Sequence, residues 1–503
     1  MSARAVRLEG ARRGGLLGGL LLAAIVVALL APFLGADPSR YVTTSNARET
    51  DEGFNLANAR HHALFGSFAT GDVDRSLTNG AYSAIAAAVF RVTGPSLAAG
   101  RAISVAAVAV AVLLLAVGLA EPLGVAAALL AAAALAGANL ALEYGRLGMT
   151  EPTVVAFLTA GFVLAVHAVR RRSLWAGAGC GLLLAAAVSV KAIAVVPMAA
   201  MLAVMLGEAL WRRDRRAILV GLAALGAAAA AAAAWLLLVA LPNLERLRIA
   251  LRIWPAVQYP TTPAGVLRRL DQYAAFSDFA ISRSSLLLLA ALVGVAATVL
   301  RWRSLDRAAR DALVMAALWG FGLWLAVAVG SYSPNRYIVP ALPGLAVLAG
   351  FGLAGLAAPL QRGRAVLVVV LALVVAVPGA ARYLADAAAS GRQREQDQRT
   401  LAAALPEDAV VFGAYAPTLL FDTRAELLTL WPSAGANRDD PVARFGATHV
   451  LASAVGDGTD PTLEIPALRR LRYEVGGVRV RWGRHTLQLL ELTPAAPAAR
   501  DHT

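Results

Sequence analysis

The sequence predicts a mainly α, polytopic membrane protein carrying a small α/β domain at its C-terminal end. Three observations lead there. Of 503 residues, 59% are hydrophobic and only 16% charged, with a mean hydropathy of +0.64, a balance that soluble domains do not reach. The apolar residues form runs long enough to cross roughly 30 Å of hydrocarbon. The basic residues sit in short clusters between those runs, so the net charge of +14 and the pI of 10.8 are an orientation signal. No basic block interleaved with aromatics points to nucleic acid. Of the 46 basic residues a single one, Lys191, is lysine.

The elements follow in order. Arg4, Arg7, Arg12 and Arg13 precede a run from Gly14 to Leu34, too long for the roughly 7 to 15 apolar residues of a cleaved signal peptide, so it is read as an uncleaved first helix. Further spans fall at 99–119, 123–141, 152–169, 174–190, 192–210, 217–241, 284–300, 312–330, 338–358 and 365–382, eleven in all. With the N-terminus inside, the arginine-rich connections at 170–172, 212–216, 301–310 and 362–364 are cytoplasmic, as the positive-inside rule requires. Three short outer loops, 142–151, around 191 and 331–337, then carry one basic residue each: Arg146, Lys191 and Arg336.

Ala81 to Phe90 is apolar but too short to cross. Tyr82, Ile85, Ala86, Val89 and Phe90 fall on one helical stripe, so the segment is placed as a juxtamembrane helix in a long first outer loop, 35–98. Phe54, Ala57, His61 and Leu64 or Phe65 form a second stripe in the same loop. The outer loop 242–283 opens with Leu244, Leu247, Leu251 and Trp254 on one face, the pattern of an interfacial helix. From 386 to 493 the composition is that of a small outer α/β domain, with strands expected at 409–415, 449–454, 478–482 and 486–492 and helices near 384–404 and 438–446; 494–503 reads as a disordered tail. Cys180, the one cysteine, excludes an intrachain disulfide. No internal repeat is visible.

Candidate chemistry concentrates in the outer loops. Asp51 and Glu52 stand at the start of the Phe54 stripe, where a carboxylate serves either as a general base at the membrane surface or simply as a favourable charge at a helix N-terminus. Glu151 precedes Pro152 at the start of a span, and Arg146 lies five residues before it: a salt bridge or cap is one reading, a site the other. Lys191 and Arg336 either snorkel to headgroups or hold a phosphate. His61 and His62 lack the ligand spacing of a zinc site, Asp72 and Asp74 read as a solvated turn, and no phosphate-binding loop or dinucleotide fingerprint occurs, so no metal or cofactor is assigned.

Taken together, Thr50 to Phe54, Asn58-Ala59-Arg60, Leu64-Phe65-Gly66, the Arg146 to Pro152 loop, Lys191 and Arg336-Tyr337-Ile338-Val339-Pro340 resemble the C-type membrane glycosyltransferases of family 39 over roughly residues 10–385. That group includes protein O-mannosyltransferases and lipid A aminoarabinose transferases. The resemblance implies the fold, two juxtamembrane helices, a polyprenyl-phosphate-linked sugar donor, inverting transfer to an extracytoplasmic acceptor, and residence in the plasma (inner) membrane. It implies Asp51 as general base or acceptor-orienting residue, with Glu52 beside it, Glu151 as a second acidic position, and Arg146, Lys191, Arg336 and Tyr337 around the donor phosphate. A lipid or solute transporter, or a polymerase or ligase with a lipid-diphosphate donor, are the alternatives. The domain from 386 onward matches no motif.

Overall fold

A computed structural model of the chain describes residues 3–39, 42, 51–252, 258–276, 278–360, 363–429, 441–453, 472–473, 478–482 and 485–493. The helices in chain order are α1 Ala3–Leu30, α2 Asp51–Phe65, α3 Gly80–Thr93, α4 Leu97–Leu119, α5 Val125–Ala136, α6 Asn139–Gly145, α7 Thr150–Arg171, α8 Leu174–Val190, α9 Val195–Trp211 and α10 Arg215–Trp235. They continue with α11 Leu244–Arg252, α12 Pro263–Phe276, α13 Asp278–Arg301, α14 Arg307–Ala317, α15 Leu323–Val329, α16 Leu342–Ala357, α17 Arg364–Ala388, α18 Gln393–Ala402, α19 Ala416–Leu419 and α20 Pro441–Phe445. The strands are β1 Val410–Phe412, β2 Glu426–Leu428, β3 His449–Ser453, β4 Arg472–Tyr473, β5 Arg479–Trp482 and β6 His485–Thr493. The chain divides into two compact units: Met1–Leu34, Ala102–Leu238 and Ala256–Ala388 form the first, and Gly35–Arg101, Val239–Pro255 and Ala389–Thr503 the second.

The first unit is the helical bundle. Among the described residues, nine helical stretches are long and apolar enough to cross a membrane, and the bent pair α5 and α6 makes up to ten. Each of the eleven expected segments holds a helix, α8 being a shorter one of 17 residues, and α3 falls short of spanning as expected. Leu17, Leu182, Leu289, Val366 and Leu373 are exposed on these helices, an apolar surface that a bilayer covers. Between helices the packing relies on small residues: a Cβ on Gly352 of α16 would stand 2.6 Å from the backbone nitrogen of Gly294 on α13, so the two backbones touch.

The span expected at 123–141 is broken, with α5 and α6 meeting at 57°. Gly137 ends α5 where α17 packs on it; a Cβ there would collide with the Ala376 backbone, and Gly379 lies on the Gly137 carbonyl. Asn139 donates to the Gly379 carbonyl at 3.3 Å. This close approach redirects the chain into α6, so part of the expected outer loop 142–151 is helical.

The connections sort to two ends. At one, Glu121 meets Arg12, Arg170 and Arg171 at 3.6, 3.2 and 3.1 Å, and Asp214 meets Arg172 at 2.6 Å and Arg307 at 3.4 Å. At the other, Lys191 and Arg336 meet Glu151. Helix α7 runs from Glu151 to Arg171 between them, about 30 Å at 1.5 Å per residue.

The second unit contains α2, α3, α11 and the sheet. Leu247 of α11 is buried with Leu77 and Ala240; Trp254, expected on the same face, lies outside the described residues. Helix α12, in the same expected loop but in the first unit, was not anticipated. The sheet runs β2-β1-β3-β6-β4, with β5 also paired to β6. β1 is parallel to β2 and β3, and the pairs made by β6 are antiparallel. Alternation along β1 sends Val411 into a core with Leu401 of α18 and Leu419 of α19, and Phe412 into another with Val442 and Phe445 of α20.

Four expected strands thus become six, because β2 and β4 have three and two residues and carry no readable period. The expected strand 409–415 stops at Phe412. The helix expected at 384–404 breaks between α17 and α18, where the Asp37 carboxylate accepts the backbone N–H groups of Gln393 and Arg394 and so caps α18. The helix expected at 438–446 is α20, and 494–503 lies outside the described residues.

Candidate active site

Each unit gathers its own cluster of charged groups. In the first unit Glu151 is fully buried at the first turn of α7, just ahead of Pro152. Lys191, in the break between α8 and α9, donates its Nζ to Glu151 Oε1. Arg336 Nε stands 3.6 Å from the same oxygen, and Thr150 Oγ1 lies 3.2 Å from Oε2. An isolated carboxylate in this setting is prohibitive, and two cations from distant loops compensate it.

Tyr337 supplies an aromatic floor for both cations. Lys191 Nζ is 4.3 Å and Arg336 Cζ 5.7 Å from its ring centroid. Tyr332 packs edge-on against the Tyr337 ring at 5.6 Å and accepts a hydrogen bond from Arg336 at 3.2 Å. The cations are held by quadrupole attraction as well as by Glu151, and remain 18% and 13% exposed. Two cations from separate loops thus share one buried carboxylate over one aromatic ring.

Arg146 differs. It is fully buried, and its guanidinium lies 3.8 Å from Glu143, one turn earlier at the end of α6 and equally buried. Glu143 was not singled out from the sequence, although its i,i+3 spacing from Arg146 is the signal that finds it. Glu143 and Arg146 are thus opposite charges one turn apart, both buried.

In the second unit Asp51 is half-buried as the first residue of α2, and Thr50 lies outside the described residues. Glu52 is fully buried and takes a bidentate ion pair from Arg101, with both N–O distances 2.7 Å. Arg101 also donates to the Ala36 carbonyl at 2.6 Å. Adjacent helical residues point about 100° apart, so this pair fixes the rotation of α2 and thereby the direction of Asp51.

The rest of α2 is clamped to the C-terminal segment of the same unit. Gly53 lies against the Pro417 carbonyl, where any side chain would collide. Arg60 donates to the carbonyls of Phe421, Thr423 and Ala425 at 2.7, 2.7 and 2.8 Å. Burial lowers the pKa of its guanidinium to about 10, against the raising effect of Asp422 and Glu426. Asp422 accepts the backbone N–H of Leu97, at the start of α4.

The weaker sequence signals have structural partners. His61 lies 2.6 Å from the Ser67 carbonyl and 3.2 Å from the Glu426 carboxylate, and His62 stacks on Phe68 beside Arg91. Asp74 caps the Ser76 N–H, and Asp72 is bidentate to Arg444 at 2.6 and 2.9 Å. Among the described residues, no three His, Cys, Asp or Glu side chains gather as a metal set.

No protein-family model and no curated protein matches the chain. Solved structures do. ArnT from Cupriavidus metallidurans in the apo state matches with a TM-score of 0.63 at 16% identity, over 93% of this chain and 97% of that one. The same protein bound to undecaprenyl phosphate gives 0.61 at 15% identity over the same shares. The Archaeoglobus fulgidus oligosaccharyltransferase in the apo form gives 0.54 at 13% identity, over 87% of this chain and 69% of that one. These likenesses establish the fold, and it is the C-type fold that the sequence resemblance implied.

Proposed function

We propose that this protein is an integral-membrane glycosyltransferase that moves a sugar from a polyprenyl-phosphate donor to an acceptor outside the plasma membrane. One observation carries the reading: a buried carboxylate holds two partly exposed cations over an aromatic ring, in a chain with the fold of a protein crystallised with undecaprenyl phosphate. Lys191 and Arg336 bind the donor phosphate and stabilise the charge that accumulates on it as the glycosidic bond breaks. Glu151 orients them. Tyr337 keeps them in place through its ring, and the Glu143–Arg146 pair supports the turn that leads into α7.

Asp51 serves as general base or acceptor-orienting residue. As general base it takes the proton of the acceptor's hydroxyl or amine as that atom attacks the anomeric carbon and the phosphate leaves, with inversion. Glu52 is a positioning residue: its carboxylate is committed to Arg101. The arginine-rich connections face the cytoplasm, which puts the end bearing Glu151 and Lys191 outside. The test is transfer from an undecaprenyl-phosphate sugar in liposomes. Asp51→Asn lowers turnover by about 10²- to 10⁴-fold while donor binding persists, and polyprenyl phosphate is the released product. Wild-type turnover in that variant removes Asp51 from the chemistry. Release of polyprenyl diphosphate, or movement of intact lipid with no bond broken, replaces the reading with one of its rivals.

A further inference from the structure

At the arginine-rich end of the first unit, remote from Glu151, α9 and α14 border a cavity of about 310 Å³. Its polar lining comprises Glu208, Arg212, Arg307, Arg310 and Asp311, with Trp302 as its aromatic wall. None of these residues has a part in the transfer reaction proposed above.

The charges do not cancel. Glu208 is bonded by Arg212 and approached by Arg307 at 3.8 Å. Asp311 has Arg307 at 3.6 Å. Arg307 also reaches Asp214 at 3.4 Å, and Asp214 is already held by Arg172 at 2.6 Å. Glu208 is therefore bonded, while Asp311 Oδ2 is buried with no hydrogen bond and has Arg307 only at ion-pair distance. Arg310 is different: its guanidinium lies 5.7 Å from the centroid of Trp302 and makes no hydrogen bond or ion pair among the described residues. The Nε atoms of Arg307 and Arg310 are buried with no hydrogen-bond acceptor. A guanidinium offers five donors in a planar fork, and leaving a buried one of them unmet is costly.

We infer that this cavity is a second anion site, which takes the phosphate of a phosphate ester between Arg310 and Arg307. The fork matches phosphate oxygens two at a time, and the one cation in excess supplies the charge. The indole of Trp302 faces the non-polar part of the ligand. Leu300 and Trp211, near the lining in sequence, are exposed; apolar and indole surface there suits an interfacial position. Two sources share this chemistry: an anionic phospholipid of the arginine-rich leaflet, and a soluble phosphate ester.

The full-length protein in non-ionic detergent is titrated with dioctanoyl phosphatidylglycerol, and in parallel with dioctanoylglycerol, which lacks phosphate. The phosphate-bearing probe shows a saturable component that Arg310→Gln weakens at least about tenfold, the effect of losing one charge-assisted contact. Lys191→Met leaves that component unchanged, which separates it from the donor site. Displacement by inorganic phosphate assigns a soluble ester as the source, and resistance to it assigns the lipid; both keep the site. Equal binding of the two probes, or a component indifferent to Arg310→Gln, overturns it. Should Arg310→Gln not yield monodisperse protein, the comparison of probes on the wild type decides alone.

Discussion

Glu52 and Asp51 are neighbours in sequence but differ in burial and, in the proposed function, in role, and a variant series separates the two. Glu52 and Arg101 are both fully buried and joined by two 2.7 Å contacts. Arg394, also buried, is within electrostatic reach of both. Glu52→Leu therefore leaves the buried Arg101 guanidinium without its carboxylate and removes one of the negative charges that offset Arg101 at Arg394, Asp422 and Asp37 being the others. Removing one partner of a buried pair costs about 3–5 kcal/mol. At roughly 2–4 °C per kcal/mol for a domain of this size, the second unit should melt about 10 °C lower. The double variant Glu52→Leu with Arg101→Met removes the attraction and the repulsion on Arg394 together. It should recover most of the loss, because apolar replacements of a buried pair are often neutral. Melting followed by intrinsic fluorescence reads the stability, and sugar transfer in liposomes reads the function. The double variant should keep activity within about tenfold of wild type, whereas Asp51→Asn loses about 10²-fold or more. Equal destabilisation in the single and double variants would refute the ion-pair account. Transfer lost in the double variant as deeply as in Asp51→Asn would put Glu52 in the chemistry itself.

Lys191→Met should raise the donor KM at least about tenfold, since one charge-assisted contact to the phosphate disappears, and donor titration at fixed acceptor measures it. Gly53→Ala should lower turnover by about 10²-fold with Asp51 intact, because the new methyl group meets the Pro417 carbonyl and displaces the start of α2; steady-state kinetics on folded protein checks this. His449 is held below its ordinary pKa of 6.5, chiefly by burial, with Glu491 and Asp408 acting the other way. Its folded form is the neutral one, so its share of stability is complete above about pH 6.5 and is lost as pH falls from there towards the depressed folded value. Melting temperatures between pH 7 and 5 should drop for the wild type, and His449→Gln should flatten that slope.

The parts of this fold that were legible in the sequence are those that a bilayer enforces. Apolar runs of spanning length must be helices, and the arginine bias orients them, so the bundle and its two faces follow from local composition. Glu151, Lys191 and Arg336 were legible one by one, as lone charges beside apolar spans, but not as a group: the sequence set Glu151 against Arg146, which lies on Glu143 instead, while Lys191 and Arg336 meet Glu151. What escaped depends on contacts between distant segments. Arg101 pairs with a carboxylate 49 residues earlier, and Arg60 with carbonyls more than 360 residues later, separations at which no periodicity exists. The break between α5 and α6 depends on α17 lying against Gly137. Glu143 alone had a local signal that was passed over, its i,i+3 relation to Arg146.

Charge arithmetic at the Glu151 group bears on which donor suits it. A polyprenyl-phosphate sugar is a phosphodiester with one negative charge. Breaking its glycosidic bond leaves a monoester whose charge approaches two at neutral pH, so a fraction of one further unit develops on the phosphate oxygens in the transition state. Glu151, Lys191 and Arg336 together sum to one positive charge, placed over an aromatic face and only 13–18% exposed at the cations. In such a partly desolvated setting a single surplus cation counts for more than it does in water. A lipid-diphosphate donor presents a second phosphate and a larger total charge, so competition between the two lipid classes for one transfer reaction should favour the monophosphate donor, and preference for the diphosphate would refute this charge matching.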